Sequence, residues 1–352
     1  MVIRLPIGDD SVDVSVVSWN SWPVLRENLP ALIAQDYPAY RVVVVDNASA
    51  DASADEVEAN FPDVTVIRNA RNDGFGAANN RCFERAAGKY VAALNPDAKP
   101  EPGWLRALVR ALESNPDAAL ATSKVLLAAD PSRVNACGAS VHVTGIGSCR
   151  GLGDDQHAYV SEERVAAVSG AAFVARRDVL EEVGGFDERF FMYMEDIELS
   201  MRVRLAGYEI VLAPRSRVLH DYALTVPPWK FYYLERNRFL MLSSMFRLRT
   251  LLALAPALAV AEAGVWWFAL RSGPRMTWAK LRSYLSVLRS LPSIPAERRK
   301  VQAIRRVPDR ALLQMMDAAL PRALGAHPPL AMRAADGFFA VYAALLRRIV
   351  RW

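Results

Sequence analysis

Arg41-Val42-Val43-Val44-Val45-Asp46-Asn47-Ala48-Ser49-Ala50-Asp51 decides how the rest of this chain folds. Four consecutive valines cannot alternate between a wet face and a dry one. They read as a strand buried on both faces, the kind that a parallel sheet covered by helices provides. The polar run from Asp46 follows at once, and such sheets bind ligands beyond the carboxyl ends of their strands. Working outward, residues 12–19 are a β-branched first strand. Ser21 and Pro23 open a helix to about Gln35, with Pro30 expected to kink or split it. Residues 64–67 make a third strand, 74–87 a helix, 89–94 a fourth strand, 102–114 a helix, and 118–127 include a strand. Residues 209–213 and 218–220 extend the same series. Strands alternating with helices at this spacing predict an α/β fold with a mostly parallel sheet. Residues 131–170 differ: Gly138, Gly145, Gly147, Gly151 and Gly153 punctuate short apolar stretches and predict a hairpin with mobile loops.

With 352 residues the chain can bury a large core. Its net charge of +5 conceals an asymmetry. Residues 247–352 hold 18 Lys/Arg against 5 Asp/Glu, a net of +13, and residues 1–246 hold 25 against 33, a net of −8. Trp266, Trp267, Phe338 and Phe339 lie among the basic residues, so this tail reads as a surface for anionic lipid rather than for nucleic acid. A basic helical subdomain facing solvent is the other reading. We place the division at 1–226 and 227–352. Residues 251–270 are long enough to span a bilayer but contain Pro256 and Glu262. A central acid costs roughly 2.5–3.5 kcal/mol on an insertion scale, which favours an interfacial or shallowly inserted helix. Residues 331–352 are a second amphipathic candidate. Three cysteines, Cys82, Cys137 and Cys149, without metal-ligand spacing, fit a reducing compartment and no zinc site. Residues 1–10 have no apolar core of signal-peptide length, so export is not expected.

The chemistry-bearing residues fall just after the strands. Asp46 can accept from a nucleobase N–H or a ribose hydroxyl, with Asn47, Ser49 and Asn20 around it; a polar turn closing a strand has the same composition. In Asn72-Asp73-Gly74-Phe75-Gly76-Ala77-Ala78-Asn79-Asn80 the glycines permit close backbone approach, and a helix start can receive an anion or a polar ring. Leu94-Asn95-Pro96-Asp97 ends the fourth strand. Asp97 offers a charged oxygen to a magnesium or manganese ion; Asn95 offers a neutral one, or a hydrogen bond to a sugar. His220, at a strand end, is a further candidate metal ligand or diphosphate partner, or a satisfied structural residue. The run Phe186-Asp187-Glu188-Arg189-Phe190-Phe191-Met192-Tyr193-Met194-Glu195-Asp196 leads into a helix ending near Gly207. Paired acids behind an aromatic wall suit a general base that deprotonates a hydroxyl, although an acid there can simply cap the helix. Asp196 is the expected base; Glu195 positions it or binds the acceptor.

Taken in order, these segments, with Val16-Val17-Ser18-Trp19-Asn20 and Ser169-Gly170-Ala171-Ala172-Phe173, resemble family-2 glycosyltransferases over about residues 10–240. They are most similar to the rhamnosyltransferase-like subgroup, in which Leu-Asn-Pro-Asp stands in place of Asp-x-Asp. The resemblance implies a GT-A (Rossmann-like) fold and an inverting single displacement. It also implies a nucleotide-diphosphate sugar donor, a divalent cation, and a glycan or polyprenyl-linked glycan acceptor. Together with the basic, apolar tail, whose composition alone carries the membrane docking, it sets the expectation of work at the cytoplasmic face of a membrane, in cell-wall or polysaccharide biosynthesis. Arg236-Asn237 resembles a pair that follows the catalytic domain in this subgroup. dTDP-rhamnose is the first donor to consider, with a UDP-hexose open. Two other classes stay in view: a catalytically silent glycan-binding or scaffold subunit, and a nucleotidyltransferase. The second lacks support, because Ser18-Trp19-Asn20-Ser21-Trp22-Pro23 has neither the glycine nor the basic residue of that class's first loop.

Overall fold

The computed structural model describes residues 10–322 and 329–352. Residues 1–9, most of the stretch read above for an export signal, lie outside the described residues. The chain divides into two compact units. The first comprises residues up to Gly138, Cys149–Val203 and Tyr208–Ala223; the second comprises Ala139–Ser148, Arg204–Gly207 and Leu224–Trp352.

The first unit opens with β1 (Val12–Ser18), α1 (Trp22–Ile33), β2 (Tyr40–Asp46), α2 (Ser53–Asn60), β3 (Thr65–Arg68), α3 (Phe75–Phe83) and β4 (Tyr90–Leu94). It continues through β5 (Ala98–Pro100), α4 (Trp104–Ser114), β6 (Ala118–Leu127) and β7 (Asp130–Cys137). The short pair β8 (Ala139–Val141) and β9 (Gly147–Cys149), which falls almost wholly to the second unit, comes next in the chain. The first unit resumes with β10 (Glu163–Arg164), β11 (Ala172–Arg176), α5 (Arg177–Val183), α6 (Glu195–Leu205) and β12 (Glu209–His220). The sheet runs β10-β12-β6-β11-β4-β1-β2-β3, with β5 on β12 and β7 on β6. β3, β2, β1 and β4 are mutually parallel, and β12 is parallel to β6; β11 is inserted antiparallel between β4 and β6. The expected α/β fold with a mostly parallel sheet is therefore present. The valine run carries β2 as predicted, with Val42 to Val45 all buried.

Local chemistry explains the departures from the sequence expectations. α1 continues through Pro30 without splitting. Its first amides are satisfied from a distance, since Ser53 Oγ accepts from Ser21 N and Trp22 N at 3.0 and 2.9 Å. The glycine-punctuated region is more ordered than loops alone, because β7 pairs antiparallel with β6. β12 is one strand with a register shift between Ala213 and Arg217, where two separate pieces were expected.

The second unit is helical: α7 (Pro228–Met245), α8 (Leu248–Arg271), α9 (Pro274–Ser290), α10 (Ile294–Ala303), α11 (Asp309–Met315) and α12 (Leu330–Ile349). Among the described residues α8 is the one helix long and apolar enough to cross a membrane by length and composition. Its Glu262 is not a solitary acid. Glu262 and Glu235 bind Lys280 and Arg238, both of which are almost wholly buried; Lys280 Nζ lies 2.8 Å from Glu262 Oε2, and Arg238 Nη2 lies 2.8 Å from Glu235 Oε2. Tyr284 also donates to Glu262 and accepts from Trp266 Nε1 at 3.0 Å. These ion pairs join α7, α8 and α9 through their cores.

Candidate active site

The loops after β1 and β2 are bound to each other. Asn20 adopts a left-handed backbone (φ 52°), and its Oδ1 accepts from Ala50 N at 2.7 Å while its amide donates to Ser49 Oγ at 2.9 Å. Asp46, the last residue of β2, is buried. Its Oδ2 accepts from Ser49 N at 3.2 Å, and its Oδ1 is buried with no partner among the described residues. A buried carboxylate oxygen without a donor is costly, and a ligand N–H or O–H beyond the strand end would remove that cost.

Asn47 and Asn72 do a different job. Asn47 Nδ2 donates to Asn72 Oδ1 at 2.8 Å and to Gly74 O at 3.2 Å, and its Oδ1 accepts from Asn69 Nδ2 and Asp73 N at 3.0 and 3.2 Å. Its hydrogen-bonding capacity is spent on shaping the 69–74 loop. At Gly74 (φ 89°), a Cβ would sit 2.2 Å from Phe191 O, and Phe75 N donates to that same oxygen at 2.6 Å. The close approach that Gly74 permits is thus to the chain's own 191 backbone. Asn79 Nδ2 caps Phe75 O at 3.0 Å, and its Oδ1 is buried with no partner among the described residues. Asn80 grips the Phe186 backbone on both sides, accepting from its N and donating to its O at 2.9 Å each. Phe75, Phe83 and Phe173 surround the Phe186 ring. The aromatic segment before the paired acids is therefore anchored to α3.

That anchoring holds an unusual backbone. Phe191, Tyr193 and Met194 have φ of 63°, 62° and 70°, left-handed values that cost non-glycine residues on the order of 1–3 kcal/mol each. The distortion delivers Glu195 and Asp196 to the start of α6. Further along this helix Arg202 forms a buried pair with Glu198 at 2.7 Å and donates to Val183 O and Gly185 O at 2.5 and 2.6 Å. Asp196 Oδ2 accepts from Gly170 N at 2.7 Å and Oδ1 from Ile197 N at 2.8 Å. Each oxygen keeps a second lone pair. A Cβ on Gly170 would lie 3.2 Å from Asp196 Oδ2, so the Ser169-Gly170-Ala171 turn closes tightly on the carboxylate. Glu195 is buried and its Oε2 has no partner among the described residues. Burial, followed by the neighbouring Asp196 charge, pushes the Glu195 carboxyl up to about 8. Burial also raises Asp196 above its ordinary value, against the hydrogen bonds it accepts, although its side chain keeps partial solvent access.

The end of β4 meets the end of β12. His220 Nδ1 lies 2.9 Å from the acceptor Asn135 Oδ1, which orients the ring and turns Nε2 toward Asp97. Nε2 lies 3.2 Å from Asp97 Oδ1 and 3.5 Å from Asn95 Nδ2. The 3.2 Å approach lacks hydrogen-bond geometry, so Asp97 Oδ1 is a buried atom without a hydrogen-bond partner. A carboxylate oxygen and an imidazole nitrogen facing each other are the donor types that a divalent cation takes. Among the described residues no group of three or more His, Cys, Asp or Glu is placed to hold a metal unaided. A cation here would have to draw further oxygens from its ligand, as magnesium does from substrate phosphates.

Two tyrosines that the sequence reading did not single out join these parts. Burial raises Tyr193, and the charges of Glu195 and Asp97 raise it further, so it stands by both. Burial, the Cys149 thiol that shares a hydrogen bond with it, and the Tyr193 and Asp196 charges raise Tyr222. Its ring centroid is 5.6 Å from that of His220. The His-x-Tyr spacing at the strand end was the available signal for Tyr222.

Residues 13–127 match the family described as Glycosyl transferase family 2, and residues 90–291 match Glycosyl transferase family group 2. The chain belongs to the family-2 glycosyltransferases. It is similar to the N-acetylglucosaminyl-diphospho-decaprenol L-rhamnosyltransferase of Mycobacterium tuberculosis, 29% identical over 237 residues, 61% of this chain and 77% of that protein. It is 29% identical to the pre-mycofactocin glycosyltransferase of the same organism over 64% of this chain, but spans 46% of that relative's length. Among solved structures, GalNAc-T7 with UDP, GalNAc and Mn2+ superposes with a TM-score of 0.55 at 17% identity, over 66% of this chain and 48% of that one. Staphylococcus aureus TarS 1-349 in complex with UDP-GlcNAc gives 0.52 at 17%, over 96% and 90%. At these identities the two structures speak for the fold, which is GT-A-like. The protein is a glycosyltransferase working from a nucleotide-sugar donor. Arg236 and Asn237 of the transferase belong to the second unit, on α7, where Arg236 Nη1 donates to the buried Asn237 Oδ1 at 3.2 Å.

Proposed function

We propose that the transferase moves a sugar, with rhamnose from dTDP-rhamnose as the first candidate, onto a lipid-linked glycan by an inverting single displacement. The observation that carries this reading is Asp196: a carboxylate held by two backbone amides, raised by burial, at the end of a strained aromatic segment. Such a group can take the proton of an acceptor hydroxyl as that oxygen attacks C1 of the sugar. Asp46, beside Asn20 and Ser49, would hold the base or ribose through its unpartnered oxygen. The 69–80 segment would shape the floor. Asp97 and His220 would hold a divalent cation, which when bound neutralises the departing diphosphate. Asn95 would donate to the sugar or diphosphate. Glu195, raised to about 8, would be protonated at neutral pH and serve as a hydrogen-bond donor to the acceptor. Residues 1–226 would do this chemistry and 227–352 would serve the lipid-linked acceptor, with Arg236 and Asn237 at the start of that part.

In this reading the second unit docks on the cytoplasmic face of an anionic membrane, and its exposed apolar side chains and basic charge support the docking. Trp267, Phe268 and Leu270 of α8 and Trp278, Leu285 and Leu288 of α9 are exposed, and the sequence from residue 247 nets +13. Apolar burial with basic flanks suits shallow insertion. Trp266, bonded to Tyr284, is part of the helix packing and not of this surface.

The test is transfer from a panel of nucleotide sugars to a polyprenyl-diphosphate-linked N-acetylglucosamine, with and without manganese. Rhamnose transfer with inverted anomeric configuration is expected. Transfer of another sugar would replace the donor, retained configuration would remove the mechanism, and donor binding without any transfer would favour the silent-subunit reading.

A further inference from the structure

The first unit has a second cleft, which the proposed transfer reaction does not use. It has a volume of about 540 Å³ and is lined by Arg106, Arg110 and Ser114 of α4, by Val160, and by Pro214 and Arg215 of β12. The i, i+4, i+8 spacing sets the three α4 residues on one face, and Gly103 and Ala107 leave room beside them. Arg215 sits in the register shift between Ala213 and Arg217. Bulges of this kind re-aim side chains out of a strand. This one is pinned from below: Ser216 Oγ lies 2.9 Å from Ser123 Oγ, which accepts from Trp104 Nε1 at 2.9 Å, so the bulge is tied through the core to the first residue of α4.

The charges in the cleft are unbalanced. Arg106 is committed to Asp36, with Nε 3.1 Å from Oδ2. The side chains of Arg110 and Arg215 have no hydrogen bond, ion pair or ring contact among the described residues. Nearby arginines do have acid partners: Arg164 is paired with Asp117 and Arg217 with Glu101. Glu162 is the carboxylate in the lining, and it accepts from Asn115 at 3.0 Å. Two open guanidiniums therefore face one cleft in the acidic half of the sequence. Their planar forks match carboxylate and phosphate oxygens. No aromatic ring lines the cleft, so a nucleobase has nothing to stack on, and its lining gives a neutral ligand little that is specific.

We propose that this cleft binds an anionic stretch of glycan, sugars carrying carboxylate or phosphate groups, through Arg110 and Arg215, separately from the site at the strand ends. Calorimetry on the full chain, without donor, tests it with tetragalacturonate and phosphorylated maltotetraose against neutral maltotetraose, alongside flotation on phosphatidylglycerol vesicles. At least one of the anionic oligosaccharides should bind, more weakly as salt rises, and the stronger one identifies the recognised group. Arg110→Gln and Arg215→Gln should each weaken it about tenfold or more, as loss of a charge-assisted hydrogen bond does. Unchanged thermal unfolding and unchanged nucleotide-sugar binding in both variants would establish that the fold is intact. Equal binding of the neutral oligosaccharide, undiminished anionic binding in the double variant, no binding of either anionic probe, or an effect of the variants on vesicle binding alone would each overturn the proposal.

Discussion

The buried acids of the helical cluster in the second unit and those at the strand ends of the first behave in opposite ways, although the first unit also holds a self-matched pair, Glu198 with Arg202. In the second, Glu235 and Glu262 are matched by Arg238 and Lys280. In the first, Asp46 Oδ1, Asp97 Oδ1 and Glu195 Oε2 are buried without hydrogen-bond partners, and Asp196 is bound only by backbone amides. Burying a carboxylate is unfavourable unless hydrogen bonds and counter-charge offset it. Where a chain supplies the offset itself, the acid is architecture. Where it does not, the acid is left open to a donor or cation from outside, as the proposed function requires. Asp46, Asp97, Glu195 and Asp196 lie at strand ends or at the start of α6, the places where an α/β sheet presents ligands.

The sharpest way to break that contrast is Asp196→Asn. Loss of a general base lowers the rate by about 10²–10⁴-fold. We expect that loss in steady-state transfer, with nucleotide-sugar affinity nearly unchanged. Both Asp196 oxygens accept backbone N–H groups, so the amide turns one acceptor into a donor facing Gly170 or Ile197. A modest drop in melting temperature should accompany the kinetic effect. Wild-type turnover in the folded variant would remove Asp196 from the mechanism.

The opposite outcome is expected for Lys280→Met. It strips the shared cation from Glu235 and Glu262, and breaking a buried pair from one side costs on the order of 3–5 kcal/mol. Chemical denaturation should show the loss, whereas Glu262→Gln combined with Lys280→Met should recover part of it by removing one of the stranded charges. If the single variant is as stable as the wild type, the cluster is not what joins these helices.

How far this contrast was legible in the sequence depends on the range of the interactions. The valine run at 42–45 and the order of polar segments after the strands are local patterns, and they predict the sheet and its ligand edge. Asp97 and His220 are far apart in sequence, yet both end strands, so their meeting was readable from topology. Partner identity was not. Glu262 looked like a lone acid in an apolar helix, because its cations stand on α7 and α9, and α9 had no sequence-level prediction at all. Asn47 looked like a ligand contact, but its bonds go to Asn69, Asn72, Asp73 and Gly74. The left-handed residues Phe191, Tyr193 and Met194 have no glycine to announce them. What holds the segment is long-range, the Phe186 ring on Phe75 and Phe83 and the Phe191 carbonyl on Phe75 N, and no local propensity encodes that.

The smallest expected effect separates Glu195 from its neighbour. Its carboxyl is raised from an ordinary 4.5 to about 8 by burial and then by the charge on Asp196. Between those values the folded state binds more protons than the unfolded state, so the contribution of Glu195 to stability is complete below about 4.5 and declines as pH climbs through 8. Glu195→Gln keeps the shape of the protonated acid and removes its titration. Melting temperatures measured from pH 5 to pH 9 should therefore fall less steeply with pH in the variant than in the wild type, with the two nearly equal at the acid end. Parallel profiles would mean that Glu195 is already satisfied as an anion in the folded protein, and the unmatched-acid reading of this site would then rest on Asp46 and Asp97 alone.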